Sequence, residues 1–322
     1  MRKKPSRRGE RGVAKAVALL LFLLMVILVG YGAQQPAFRI SVDVDLVVLH
    51  ATVTDRQGGF VSDLTEKGFE VYEDGVPQRI RLFKNEDIPV TVGLVIDHSS
   101  TMGPKLDEVS LAALTFVQSS NPEDEMFVVN FNEKVSLGLP GKTRFTNQTA
   151  QLQAAIWNAE TGGQTALYDA IAKALEELQA GTRDKKVLIV ISDGGDNRSK
   201  RSLSDVMKLA AESSAGIYTV GLFDRDDPDR NPGVLKHLAQ ATGGEAFLPG
   251  EVSEVVAICQ RIARDIRHQY TIGYVPTNQA HNGAYHAIRV VARATGHDRL
   301  AVRTRTGYIP GAGPRLAETR IK

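Results

Sequence analysis

The chain reads as an α/β protein: a doubly wound, mostly parallel sheet, flanked by antiparallel β strands from both ends of the sequence that together form a small β-sandwich. Three observations predict this. Between residues 88 and 268 short apolar runs alternate with amphipathic helical segments, the pattern that a parallel sheet with crossover helices requires. Before that region Arg39 to Phe83 alternates apolar and polar residues with period two, as do QYTIGYVP, AYHAIRVVAR and RLAVRTRTGYI after it, which marks half-buried strands. A length of 322 residues with 43% hydrophobic and 24% charged side chains suits two domains with real cores and excludes a disordered chain.

The first segment, residues 1–33, is an address rather than a fold. Met1 to Lys15 is basic, and Ala16 to Gly30 is an apolar run of 15 residues, shorter than the roughly 20 a membrane span needs. This is the form of a secretory signal peptide, so export is expected, to the periplasm, the cell surface or the medium. Cleavage after Ala33 puts Tyr31 at the −3 position, and cleavage after Gly32 puts Gly30 there. Uncleaved, the segment is an N-terminal membrane anchor, the one membrane contact the sequence offers. The first 30 residues hold seven of the 39 Lys and Arg and one of the 37 Asp and Glu, so the remainder carries a net charge of −4. No basic surface for nucleic acid is expected there.

Residues 34–87 read as an N-terminal β module, with a turn at Gln57 to Gly59 and Asp74-Gly75 as a hairpin signal. Its acidic residues, among them Asp55, Asp63, Glu73 and Asp74, follow no Ca²⁺-loop spacing and are assigned to turns or solvated strand faces. Residues 88–268 follow as the α/β region. Thr91 to Ile96 is its first buried strand, and Leu106, Val109, Ala113 and Phe116 give the next helix an apolar face. Strands are expected at Met126 to Asn130, Lys134 to Leu139, Lys186 to Ser192, Gly216 to Gly221 and Glu245 to Leu248. Helices are expected at Ala166 to Leu178, Ser202 to Ser213, Pro232 to Gln240 and Val252 to Arg267. Cys259 lies on the apolar face of the last helix and, as the sole cysteine, forms no intramolecular disulfide. Residues 269–309 supply the C-terminal strands, and 310–322 a tail. His281 and His286 are five apart with no third ligand nearby in sequence, so a zinc site is not expected there.

Function concentrates in TVGLVIDHSST, where the first strand runs into a loop with Asp97, Ser99 and Thr101 at alternate positions. One carboxylate and two hydroxyls suit a hard cation such as Mg²⁺, which takes oxygen ligands and keeps several waters. Asp and Ser also cap helices after strands, which is the plainer reading of the loop alone. Two later segments, TGGQTALYDA with Thr165 and VLIVISDGGDN with Asp193, fall where loops at the carboxyl ends of parallel strands converge. Asp169 and Asp196 stand beside them, as supports of the site or as caps. Gly141-Lys142-Thr143 lacks the glycine and the strand-to-helix switch of a phosphate-binding loop.

These residues resemble the von Willebrand factor A domain and its metal-ion-dependent adhesion site. The family's Asp-x-Ser-x-Ser, distant Thr and distant Asp fall on Asp97, Ser99, Thr101, Thr165 and Asp193, with Thr101 where Ser is usual. TVTDRQGGFVSDLTEKGFEVYEDGVPQRI ahead of such a domain is similar to the bacterial exported VWFA-related family, best populated in Acidobacteria. The resemblance implies a Rossmann-like A-type fold and a non-enzymatic protein that docks an Asp or Glu of a partner protein through Mg²⁺, in adhesion or assembly. Mn²⁺ and Ca²⁺ are accepted by the same oxygens. Two alternatives stay open: a hydrolytic enzyme in which the ion activates water, for which the loop offers only His98 as a base, and a structural A domain whose metal site is unused.

Overall fold

A computed structural model describes residues 46–223, 230–278, 283–294, 296 and 299–310. The apolar N-terminal segment, Arg39 to Asp45, His281 and the tail from residue 311 lie outside the described residues. Among the described residues no helix is long and apolar enough to cross a membrane.

The chain begins with β1 (Val47–Thr54), β2 (Phe69–Glu73), β3 (Val76–Gln78) and β4 (Ile80–Lys84). Asp74 and Gly75, at φ +50° and +82°, make the tight turn between β2 and β3. The α/β region then runs β5 (Val90–Asp97), α1 (Leu106–Ser119), β6 (Glu125–Phe131), β7 (Val135–Leu137), α2 (Thr149–Trp157), α3 (Leu167–Leu178), β8 (Lys185–Ser192), α4 (Leu203–Glu212), β9 (Gly216–Gly221), α5 (Pro232–Thr242), β10 (Ala246–Phe247) and α6 (Val255–Arg267). The last strands are β11 (Tyr270–Tyr274), β12 (His286–Ala292), β13 (Ala301–Arg303) and β14 (Gly307–Tyr308).

The central sheet has the order β10-β9-β8-β5-β6-β7, parallel throughout except for the antiparallel edge β7. Every residue of β5 and of β8 is buried, which is why both read as unbroken apolar runs rather than alternating ones. Register is tight at the centre: Val95 pairs with Val129 of β6 and Val190 of β8. A side chain at Gly93 would stand 2.5 Å from Phe127 Cζ and 2.6 Å from Leu188 Cδ2, so packing there has room for hydrogen alone. Helix α1 packs on α6, and α3 on β5, β6 and β8.

The strands at the two ends of the sequence do build shared sheets. One has the order β13-β1-β11-β4 and the other β14-β12-β2-β3, both antiparallel. Leu49, Ala51, Val71, Tyr270, Ile272 and Val290 form their common core. Thr52 Oγ1 donates to Asp265 Oδ1 of α6 at 2.7 Å, Gln269 Nε2 to Tyr218 of β9 at 3.1 Å, and Arg303 pairs with Asp265, so buried polar bonds join these sheets to the α/β region.

Two expectations are corrected, and one helix joins the predicted elements. Helix α2 has no counterpart among them, because Thr149–Trp157 shows a weak apolar face and no side-chain cap. The strand expected at Glu245 to Leu248 shrinks to Ala246–Phe247 at the sheet edge. Glu73, assigned to a turn or solvated face, is 2% exposed.

Candidate metal centre

Strand β5 delivers Asp97 to the carboxyl edge of the sheet, and β8 delivers Ser192 and Asp193 beside it. The loops leaving these strands are knitted together by side chains. Asp97 Oδ1 accepts from the Ser99 amide at 2.9 Å and Oδ2 from Ser192 Oγ at 2.7 Å. Thr101 Oγ1 donates to Asp193 Oδ2 at 2.6 Å and lies 3.2 Å from Ser99 Oγ. Asp193 Oδ1 accepts from the Gly195 amide at 3.1 Å. Four of the five residues singled out by the sequence therefore share one cluster of oxygens.

The fifth, Thr165, comes in on a loop tied to both of the others through the main chain. The Gly162 amide donates to the His98 carbonyl at 2.8 Å and the Ser100 amide to the Gly163 carbonyl at 3.2 Å. On the other side, the Thr165 carbonyl accepts from the Asn197 and Arg198 amides, each at 3.1 Å, while the Thr165 amide donates to Asn197 Oδ1 at 3.0 Å. Asp196 and Asp169 act one step out. Asp196 Oδ2 accepts from the Tyr168 amide at 2.8 Å, capping the first turn of α3, and Asp169 accepts from the Lys200 and Arg201 amides.

The site is acidic, and its carboxylates are buried while Thr101 reaches the surface. Asp97 and Asp193 are 0% and 2% exposed. Burial pushes the Asp97 carboxyl up to about 6, against the hydrogen bonds from Ser192 and Ser99, with the charge of Asp193 adding to the rise. A buried carboxylate facing a second one and two hydroxyls is a donor set that an oxygen-seeking divalent ion fits.

His98 is a polar residue of the loop and is 3% exposed, with Nε2 3.1 Å from Asn130 Oδ1 and Nδ1 without a partner. Burial lowers its pKa and keeps it neutral. Ser192 and Asn197, which position Asp97 and Thr165, were missed by sequence reasoning. Nothing in their residue types separates them from their neighbours, and only the pairing of β8 with β5 sets Ser192 against Asp97.

An open α/β sheet that gathers an all-oxygen, carboxylate-bearing cluster at the carboxyl ends of its central strands defines a ligand-binding domain of the doubly wound class. The family model for the von Willebrand factor type A domain matches residues 91–257, just over half of the chain, and the chain belongs to that family. A von Willebrand factor type A protein from Catenulispora acidiphila is similar in fold, with a TM-score of 0.50 and 12% identity over 83% of this chain and 74% of its own. Further similar structures include the vWF domain of Mfa5, a type V pili tip protein from Porphyromonas gingivalis (17% identity, TM-score 0.47, 56% of this chain and 95% of that one). Another is proximal thread matrix protein 1 from the mussel byssus, solved with a zinc-occupied MIDAS motif (17% identity, TM-score 0.47, 56% of this chain and 48% of that one).

Proposed function

We propose that this is an exported, non-enzymatic protein-binding module that holds a divalent ion, with Mg²⁺ as the resident metal, and docks an acidic side chain of a partner protein on it. The observation that carries the reading is the meeting of Ser99, Thr101 and Asp193 beside the buried carboxylate of Asp97. In this reading Asp97 contributes charge, Ser99 and Thr101 coordinate through their hydroxyls, and Thr165 and Asp193 bind directly or through water. The ion supplies an electron-poor position that an Asp or Glu from outside completes, because hydroxyl and water ligands neutralise little of its charge. Export rests on the basic and apolar N-terminal sequence, and adhesion or assembly on the membership of the A-domain family. The hydrolytic reading would rest on His98, whose ring is buried with Nε2 3.1 Å from Asn130 Oδ1 rather than turned to solvent, so the docking reading is preferred.

Calorimetric titration of Mg²⁺ and Mn²⁺ into the chain and its Asp97→Ala variant tests the reading. Binding by the parent alone is expected, followed by metal-dependent capture of a carboxylate-bearing protein that EDTA releases. A parent that takes up neither ion overturns it.

A further inference from the structure

At the tip of the β2–β3 hairpin, in the sandwich rather than the α/β region, Glu73, Asp74 and His286 come together from opposite ends of the chain. Each turns one ligand atom toward the others and has its remaining polar atoms held elsewhere or left bare. Asp74 Oδ1 accepts from the Ala287 amide at 2.8 Å, which leaves Oδ2 to face His286 Nδ1 at 2.7 Å. Glu73 Oε2 accepts from the hydroxyls of Tyr274 at 2.6 Å and Tyr308 at 3.1 Å, which leaves Oε1 3.7 Å from the same Nδ1. His286 Nε2 is buried without a partner and the ring packs against Tyr308, so among the described residues the two carboxylates are the only polar partners of this 4% exposed side chain. The three ligand atoms lie within 4.8 Å of one another.

Two carboxylates converge here on one imidazole, and Glu73 is 2% exposed. Among the described residues no lysine or arginine pairs with either acid. Bonds from Tyr274, Tyr308 and Ala287 that fix the outer atoms of metal-binding carboxylates are the usual means of orienting such ligands. Asp74 keeps 44% of its side-chain surface exposed, so an ion has a way in and water a place on its open side. An imidazole nitrogen beside two carboxylate oxygens favours a borderline transition ion over Mg²⁺ or Ca²⁺.

We propose that Glu73 Oε1, Asp74 Oδ2 and His286 Nδ1 form a second metal site, taking Zn²⁺ or Co²⁺ in preference to the weakly bound Mn²⁺ and Mg²⁺ and clasping the β2–β3 hairpin to β12. The site is separate from the Asp97 centre and does not depend on what that centre does. Zn²⁺ is titrated calorimetrically into the full chain carrying Asp97→Ala, which silences the other centre, and Co²⁺ is used as a visible spectroscopic probe. One equivalent of Zn²⁺, a rise in melting temperature and ligand-field bands with Co²⁺ are expected. Asp74→Asn keeps the acceptor for Ala287 and tolerates the φ of +50°, and it should weaken Zn²⁺ binding by about 100-fold, as should His286→Gln. Failure of the Asp97→Ala protein to bind Zn²⁺, or binding that survives both further substitutions unchanged, overturns the proposal and leaves a histidine–carboxylate hydrogen bond.

Discussion

Gly194, just after Asp193, links stability to the metal centre without being a ligand. Its φ is +77°, a region that costs an L-residue about 1 to 2 kcal/mol. A Cβ there would stand 2.6 Å from the Asn231 carbonyl oxygen, main chain that cannot swing aside as a side-chain end can. Displacing it costs a further 1 to 3 kcal/mol or so, giving about 2 to 5 kcal/mol for Gly194→Ala, or a melting temperature lower by roughly 5 to 15 °C. The strain falls on the loop that aims Asp193, because the Asn231 amide donates to the Asp193 carbonyl at 3.3 Å and the Gly194 amide to Ser192 Oγ at 3.0 Å. Mg²⁺ affinity should therefore drop by about tenfold or more. Gly75→Ala is the control: φ is +82° with no atom within 4 Å, so it should cost about 1 to 2 kcal/mol and leave Mg²⁺ binding alone. Urea denaturation in EDTA and calorimetric Mg²⁺ titration of both variants measure the two effects. Equal destabilisation by the two substitutions, or parent-like Mg²⁺ affinity in Gly194→Ala, refutes the reasoning.

Lys185, 3% exposed, is pushed down to about 8 by burial despite the nearby charges of Asp265, Asp87 and Asp124. Between about 8 and 10.5 the unfolded chain holds a proton the folded one has released, so stability should rise with pH in that window by about 3 kcal/mol. Lys185→Met should remove that rise and, after loss of the bond to the Ile266 carbonyl, stabilise the protein by about 1 to 2 kcal/mol at pH 7, read as urea midpoints at pH 7 and 9.5. Gly93→Ala should cost about 2 to 3 kcal/mol through its clash with Phe127 and Leu188, and adding Phe127→Leu should recover part of that loss in thermal melts. Burial pushes the Cys259 thiol up to about 12, so a thiol reagent at pH 8 should label it only as fast as the protein unfolds.

The sequence by itself determined the order of the elements apart from helix α2, and pointed to four members of the oxygen cluster. β5 and β8 are buried on both faces, so their apolar runs announce a parallel sheet, and the residue types at their carboxyl ends state the chemistry. The hairpin at Asp74-Gly75 was equally plain, because positive φ at both turn positions restricts which residues fit. Helix α2 escaped because its weak apolar face leaves little periodicity to read. Ser192 and Asn197 escaped because a supporting hydrogen bond depends on which strand or loop lies alongside. What only the tertiary structure decided is which distant residues meet. His286, without a third ligand in its own neighbourhood of the sequence, finds Glu73 and Asp74 because β12 pairs with β2 in a register that sets Ile288 against Glu73. His98, a charged or polar loop residue by its sequence, is buried against Asn130 of β6. Local pattern encodes period and turn, which depend on a few consecutive residues. Burial, charge and ligand geometry at a point in space depend on strands brought together from opposite ends of the chain.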